Sequence, residues 1–328
     1  MQHNHEMPNY IMNKKTKKSI IKRICFFIVL IAISLTVDAQ QMLVGSFNIR
    51  NKNSGDSING EVWSKRCQVM CDQINFLAPE IWGAQEVLHT QLLDLLKGLD
   101  GYDYIGVGRD DGKTDGEYAA IFYKKDKLRL LDQGHFWLNE TPDKPVKGWD
   151  AACVRICTWG KFQAKKQKPF YFFNLHMDHV GIIARREAAK LVVAKIKEVI
   201  AADKKSKQPL VILTGDFNVD QNNEIYNIFT ESGVLKDSYH AARIRFAENG
   251  TCHGFMSDNF TTSRIDHVFV SPSADVEAYG VFTDSYWTPD PSSMETKQGK
   301  DMPKEVSFKR YIRRQASDHY PVLVKIKR

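Results

Sequence analysis

The polar residues best suited to chemistry sit at the ends of apolar runs. Asn48 follows GSF, Glu86 closes IWGAQ, Asn174 and His176 close FYFFNLH, and Asp216 and Asn218 close VILTGDFN. Asp266 and His267 lie within SRIDHVFVS, and Asp318 and His319 open the last apolar run. A carboxylate at a strand end has a fixed position while the adjoining loop admits ligand. Singly, each of these residues reads as a turn-forming Asp or Asn. Together they are too many for turns. The set offers carboxylates, amides and histidines, with no thiolate site and no Gly-rich nucleotide loop. Such hard oxygen donors suit Mg²⁺, with Mn²⁺ as an alternative, better than Zn²⁺. Histidines beside such an ion suit a phosphate ester, whose oxygens need positive donors and whose attacking water needs a base. No serine lies in a G-x-S-x-G turn, which argues against an acyl-enzyme hydrolase.

Periodicity supplies the elements that must hold these groups. Residues 42–48 read as a buried strand and 62–77 as an amphipathic helix that Pro79 ends. A strand at 81–85 and a helix at 92–99 come next. Strand-like runs at 102–107, 118–123, 127–138 and 152–160 follow without an intervening helix, which predicts antiparallel pairing. An aromatic strand at 169–175, a long amphipathic helix at 182–201, a strand at 210–214, a helix at 223–231 and strands at 265–270, 276–282 and 320–326 complete the series. Residues 286–316, rich in Pro, Ser, Lys and Arg, read as a long surface loop. Within it, Lys309, Arg310, Arg313 and Arg314 either draw an anion toward Asp318 or form a solvated face. Asp178 and His179 read either as site residues or as a solvent-facing cap for the 182–201 helix. Trp137, Trp149 and Trp159 read as core or pocket wall rather than as base-stacking platforms. The result is an α/β sandwich with helices covering its sheets.

The chain has 328 residues, a net charge of +7, 43% hydrophobic and 26% charged residues. Disordered chains, collagen-like repeats, disulfide-dense miniproteins and multi-span membrane proteins all need a more skewed composition. The first 39 residues carry six basic against two acidic side chains, a net of +4, which leaves +3 for the rest. A basic run, an apolar stretch from Ile24 to Ile33 and a V-x-A ending at Ala39 read as an export leader over residues 1–39, with Met12 as an alternative start. A spanning anchor needs about 20 apolar residues, more than this stretch offers. Residues 40–328 are then one catalytic domain, placed in the periplasm, at the cell surface or outside the cell. Cys67, Cys71, Cys153, Cys157 and Cys252 remain, an odd number without metal-ligand spacing, so they read as small buried hydrophobes.

At FNIR (47–50), GAQEV (83–87), GEYAAIFY (116–123), NLHMDH (174–179), TGDFN (214–218), RIDHVF (264–269) and SDHYPV (317–322), the sequence resembles the endonuclease/exonuclease/phosphatase superfamily, the DNase I-like group. GWDAACVR (148–155) and NLHMDHVG look most like exported bacterial members near the CCR4 and nocturnin branch. The resemblance implies a four-layer α/β/β/α sandwich, two mostly antiparallel sheets flanked by helices. It also implies roles. Glu86 would be the principal metal ligand, with Asn48 and Asp318 close to the same ion. Asp216 and Asn218 would orient or deprotonate the attacking water. His319, held by Asp266, would contact phosphate or act as acid or base, and His176 would donate to a phosphate oxygen. Glu117 and Arg155 would support the phosphate side, and His253 would line the substrate pocket or serve as a structural loop histidine.

The leading expectation is an exported, Mg²⁺-dependent phosphoesterase that hydrolyses a phosphodiester or phosphomonoester by attack of activated water. Its substrate would be a nucleic acid, nucleotide, sugar phosphate or lipid phosphate. The +3 of the mature chain is small for a nuclease, which presents a basic stripe. A sphingomyelinase-like lipid phosphodiesterase is the alternative, though no exposed apolar hairpin is evident. A binding module that has lost catalysis would lack motif residues, and none is missing. Nothing implies a stable protein partner, so a monomer is expected.

Overall fold

Alternation along the strands builds the architecture. The structure, a computed structural model, describes residues 41–204, 208–246, 249–256, 258–293 and 295–327, so the expected leader lies outside the described residues. In chain order, β1 (Gln41–Asn48) leads through α1 (Ser54–Ile58) to α2 (Trp63–Leu77), β2 (Ile81–Val87) and α3 (His89–Gly98). Strands β3 (Tyr102–Ile105), β4 (Tyr118–Lys124), β5 (Leu128–Trp137), β6 (Ile156–Ala164) and β7 (Phe170–His176) follow, then α4 (Ile182–Ala202), β8 (Leu210–Asp216) and α5 (Glu224–Thr230). After β9 (Lys236–Asp237), α6 (Ser238–Ala241) and β10 (Ile244–Phe246) come β11 (Asp266–Val270) and β12 (Asp275–Val281). The last elements are β13 (Tyr286–Pro289), β14 (Thr296–Gln298), β15 (Ser307–Lys309), β16 (Tyr311–Arg314) and β17 (Val322–Lys327).

One sheet has the order β10-β12-β17-β1-β2-β4-β3 and the other β5-β6-β7-β8-β11-β9. Most neighbours are antiparallel; β1 with β2, β7 with β8 and β10 with β12 are parallel. Successive residues serve different layers, because a strand turns its side chains to alternate faces. Phe170, Phe172, Ile212, Val268 and Val270 meet Val44, Ile81, Ile121, Val322 and Val324 in the core between the sheets. Their sequence neighbours Tyr171, Phe173, Val211, Leu213 and Phe269 face outward onto Ala188, Val192 and Ile196 of α4. On the far side Phe47, Trp82 and Phe122 pack on Met70 and Ile74 of α2 and Leu92 and Leu95 of α3. Three apolar layers separate four layers of structure, the expected α/β/β/α sandwich.

Toward one end the inter-sheet layer turns polar. Asn174 Nδ2 donates to Ala84 O and Ala120 O, both at 2.9 Å, so a β7 side chain fastens itself to the opposite sheet's backbone. Its Oδ1 accepts from Gln85 Nε2 at 2.7 Å and Thr214 Oγ1 at 3.1 Å. Gly83 makes room for this seam: a Cβ there would lie 2.3 Å from both Asn174 Oδ1 and Thr214 Oγ1. Neither neighbour can withdraw without breaking buried hydrogen bonds. Gly83→Ala is therefore expected to destabilise the fold by about 3 kcal/mol, lowering Tm by about 6 °C or more in a thermal melt.

Three expectations need correction. Residues 286–316 form a β arm rather than a loop: β13 pairs with β16 and β14 with β15, both antiparallel. The runs are only three or four residues long, and their Lys, Arg and Pro content conceals the alternation. The arm also exposes Trp287, Phe308, Tyr311 and Ile312, an apolar hairpin surface that the sequence pattern does not reveal. The run at 152–160 becomes a strand only from Ile156, since residues 152–155 are held by Asp178.

Candidate active site

Strand direction explains why the strand-end residues converge. Parallel β1 and β2 end together, as do parallel β7 and β8, and these ends carry Asn48, Glu86, His176 and Asp216. Strand β11 runs antiparallel to β8, so it begins where β8 ends and pairs Asp266 with Asp216. Strand β17 runs antiparallel to β1, so the segment before it, carrying Asp318 and His319, arrives beside Asn48; Ser317 Oγ donates to Asn48 O at 2.6 Å. The two sheets meet through Asn48 Nδ2, which donates to Glu86 Oε1 at 3.0 Å and Asp216 Oδ2 at 2.9 Å.

Backbone conformation sharpens this edge. Arg50, Glu86 and Asn218 have φ of 57°, 60° and 50°, the left-handed region that costs a non-glycine residue about 1 kcal/mol or more. Each follows or ends a site strand, and the turn swings its side chain or the next amide back toward the edge. Arg50 N donates to Asn48 Oδ1 and Asn51 N to Glu86 Oε2, both at 3.0 Å. Asn218 N donates to Asp216 Oδ1 at 3.0 Å. From α2, the fully buried Arg66 donates to Ile49 O at 2.8 Å and Ala316 O at 3.1 Å, joining the segment after Asn48 to the one before Asp318.

Electrostatics divide the site's ionisable groups. Burial and the charge of Asp266 raise Asp216 to about 7. His319 Nδ1 is 2.8 Å from Asp266 Oδ2 and its Nε2 3.8 Å from Asp216 Oδ2. Burial disfavours its charge, but the two carboxylates override that and push it well above the ordinary imidazole value. His176 goes the other way: burial, then Arg155 and Arg109, hold it well below. Its Nε2 lies 3.2 Å from Asn218 Nδ2 and 3.4 Å from Asp216 Oδ2. Burial and Glu86 raise Asp318, against the pull of His319 and Arg50.

The donor set fits a divalent cation. Glu86, Asp216 and Asp318 bring carboxylate oxygens to one cleft, Asn48 lies buried just behind them, and Asp266 Oδ1 is buried without a partner. Arg50 already responds to the negative field: its Nη1 is 3.4 Å from Asp318 Oδ2. Its pKa is raised by Asp56 first, then by Asp318 and Glu86, although burial opposes this. Asp216, Asp266 and His319 also form a compact group able to hold an ion. His319 Nδ1 is committed to Asp266, so a cation would find freer oxygen ligands toward Glu86 and Asp318 than in that trio.

Of the expected residues, Glu86, Glu117, Arg155, His176, Asp216, Asn218, Asp318 and His319 line one cleft of about 320 Å³. Asn48 and Asp266 are buried behind it and hydrogen-bond to its lining. The Glu117 carboxylate is committed to its neighbours, pairing with Arg109 and accepting from Asn51 Nδ2 at 2.9 Å. His253 does not line the cleft; it lines a separate cavity of about 220 Å³, with its ring 4.2 Å from Tyr320 and its pKa lowered by burial to about 4. Asp178 is buried rather than solvent-facing. It accepts N–H bonds from Ala152, Cys153, Val180 and Gly181, which hold it below the carboxylate range despite burial. The N-cap of α4 is Gly181, and Asp150 satisfies its first turn by accepting from Ile183 N and Ala184 N. His267 is a core histidine against Phe217, Tyr226 and Phe269. Arg314 turns away to Glu61. Arg50, Asn51, Arg109 and Cys153 also line the cleft, and the sequence pattern does not mark them as site residues; His179, read as either a site residue or a helix cap, lines it as well.

Comparison with known proteins identifies the family and the fold. Among curated proteins no match was found. A family protein from Bacteroides thetaiotaomicron, described as endonuclease/exonuclease/phosphatase, is 46% identical over 88% of this chain and 98% of its own, with a TM-score of 0.79. A mannosyl-6-phosphatase from the same species is also 46% identical, over 87% and 99%, at a TM-score of 0.78. The human nocturnin catalytic domain, 15% identical over 89% and 94% with a TM-score of 0.61, shares the fold. A family model matches residues 45–319. From that match, and from relatives nearly half identical across almost their whole length, the chain belongs to the Endonuclease/Exonuclease/phosphatase family of phosphoesterases.

Proposed function

We propose that the protein is an exported, divalent-metal-dependent phosphatase that removes phosphate from a phosphorylated sugar. The observation that carries this reading is the single cleft of about 320 Å³ in which carboxylates, three arginines and three histidines converge. Its size suits a small ester, and the similar mannosyl-6-phosphatase acts on a sugar phosphate by its name. Glu86, Asn48 and Asp318 would hold Mg²⁺ or Mn²⁺, which supplies Lewis acidity toward the phosphate oxygens. Asp216, titrating near neutrality, orients water and takes its proton. His319, kept protonated by Asp266 and Asp216, donates a proton or hydrogen bond to oxygens gaining charge. His176, kept neutral, holds its place through Asn218.

The test is phosphate release from mannose 6-phosphate and p-nitrophenyl phosphate, set beside DNA, RNA and sphingomyelin. Turnover should be fastest on the monoesters, and nuclease activity exceeding it would defeat the sugar-phosphate reading. Chelation with EDTA should lower the monoester rate by at least about 100-fold, with recovery on adding Mg²⁺ or Mn²⁺. A rate unaffected by chelation would remove the metal from the scheme. Secretion of a fusion carrying residues 1–39 checks export.

The exposed aromatic and basic surface of the arm supports a second reading, a lipid phosphodiesterase whose arm touches the bilayer. Co-sedimentation with sphingomyelin vesicles, lost in Trp287→Ser, would favour it.

A further inference from the structure

Beside the cleft lies a recess of about 10 Å³, walled by Arg109, Glu117, Tyr118, Arg155, Ile156 and His176. It shares Arg109, Glu117, Arg155 and His176 with the cleft. That volume suits a group about the size of one water or one phosphate oxygen. Three of the residues that wall it each carry a buried polar atom without a hydrogen-bond partner: Arg155 Nη1, Arg109 Nε and His176 Nδ1. Buried polar groups are nearly always satisfied, so three orphans around one small space point to a missing oxygen acceptor. Each guanidinium is anchored elsewhere, which leaves its free nitrogen in a set position. Arg155, 5% exposed, holds Asp178 through Nε at 3.4 Å and His179 through Nη2 at 3.0 Å. Arg109 holds Glu117 through Nη1, its carbonyl accepts from Trp137 Nε1 at 2.7 Å, and Asp110 Oδ1 stays 3.8 Å from its Nε, beyond hydrogen-bond range.

We propose that Arg109 and Arg155 form a clamp for a terminal phosphate, receiving one non-bridging oxygen in the recess, so that the site selects monoesters over diesters. This rests on the phosphatase reading and narrows it. A monoester dianion presents three free oxygens, one of which can enter and accept from both arginines. A diester presents one free oxygen and one negative charge fewer, so two guanidiniums gain less from it than from the dianion. Charge-assisted hydrogen bonds of this kind contribute about 1.5–3 kcal/mol each, or about 10- to 100-fold in rate when made to the transferring group.

The experiment compares kcat/KM for p-nitrophenyl phosphate and bis(p-nitrophenyl) phosphate in the wild type, Arg155→Met and Arg109→Gln, all with Mg²⁺. The wild type should favour the monoester by at least about 100-fold; each variant should lose about 30-fold on the monoester and under about 5-fold on the diester. Calorimetric titration with inorganic phosphate should show about tenfold weaker binding in both variants. Equal losses on both esters, or unchanged phosphate binding, would overturn the clamp while leaving the phosphatase standing. No turnover of any ester by the wild type would instead overturn the phosphatase. Should Arg155→Met fail to fold, Arg109→Gln decides the matter, because Arg109 is nearer the surface.

Discussion

Asp216→Asn is expected to lower kcat by about a thousandfold with little change in KM, within the roughly 10²–10⁴ that a well-placed base contributes. Asp216 accepts from Asn48 Nδ2 and Asn218 N–H, lies 3.4 Å from His176 and opposes Asp266 across the β8–β11 pair. An amide keeps the shape but cannot take a proton from water. The same substitution should change the pH dependence of stability in metal-free protein. The folded pKa of Asp216 is raised to about 7, so from the ordinary carboxylate value up to about pH 7 the folded chain holds a proton that the unfolded chain has released. Stability therefore falls as pH rises through that window. His319, raised as well, continues the fall above the ordinary imidazole value. Thermal melts in EDTA should show Tm dropping between about pH 5 and pH 8 in the wild type and dropping less in the variant. A kcat within about threefold of wild type would assign the base elsewhere, and an identical Tm slope would show that Asp216 does not titrate in that window.

The second large effect is expected from Glu86→Gln, which should weaken Mg²⁺ by more than about 100-fold, beyond the roughly 10- to 100-fold that outer hydrogen-bond partners of a metal site contribute. The substituted amide can keep a carbonyl oxygen for Asn48 Nδ2 or Asn51 N, so the left-handed turn at this position has what it needs to persist. The loss is chiefly of charge. Titration calorimetry with Mg²⁺ and Mn²⁺ measures it directly, and activity should recover in part at raised metal concentration. Unchanged Mg²⁺ binding with lost activity would move the ion to the Asp216, Asp266 and His319 group.

The site could be read from sequence where a residue ends an apolar strand. Asn48, Glu86, His176 and Asp216 announce themselves that way, and parallel pairing then brings them together. For Asp178 the choice stays open in the sequence for a physical reason: its burial is sustained by backbone N–H groups of its own loop and of residues 152–153, and no side-chain pattern records that. Arg109 gains its role from Glu117 and the carbonyl bond to Trp137, contacts set by folding rather than by spacing. The left-handed turns at Arg50, Glu86 and Asn218 lack the glycine that would have signalled them. The sandwich itself was legible because its strands are long enough to alternate; the arm was not, with runs of three and four residues.

Strand β17 follows every other strand in sequence yet occupies an interior place in its sheet. It lies between β12 and β1, and the segment before it supplies Asp318 and His319. Pairings such as Gln41 with Lys327 and the bond from Arg66 to Ala316 span nearly the whole described chain, so the loop that must close is among the longest the molecule could have. Contacts of such sequence separation form slowly. During synthesis, a chain that has not yet emerged past residue 315 holds a sheet split between β12 and β1, with two unpaired inner edges and no working centre. Emergence of that one strand both joins the halves of the sheet and arms the enzyme, so the half-made protein is inactive and its open edges are the surface a chaperone would need to shield.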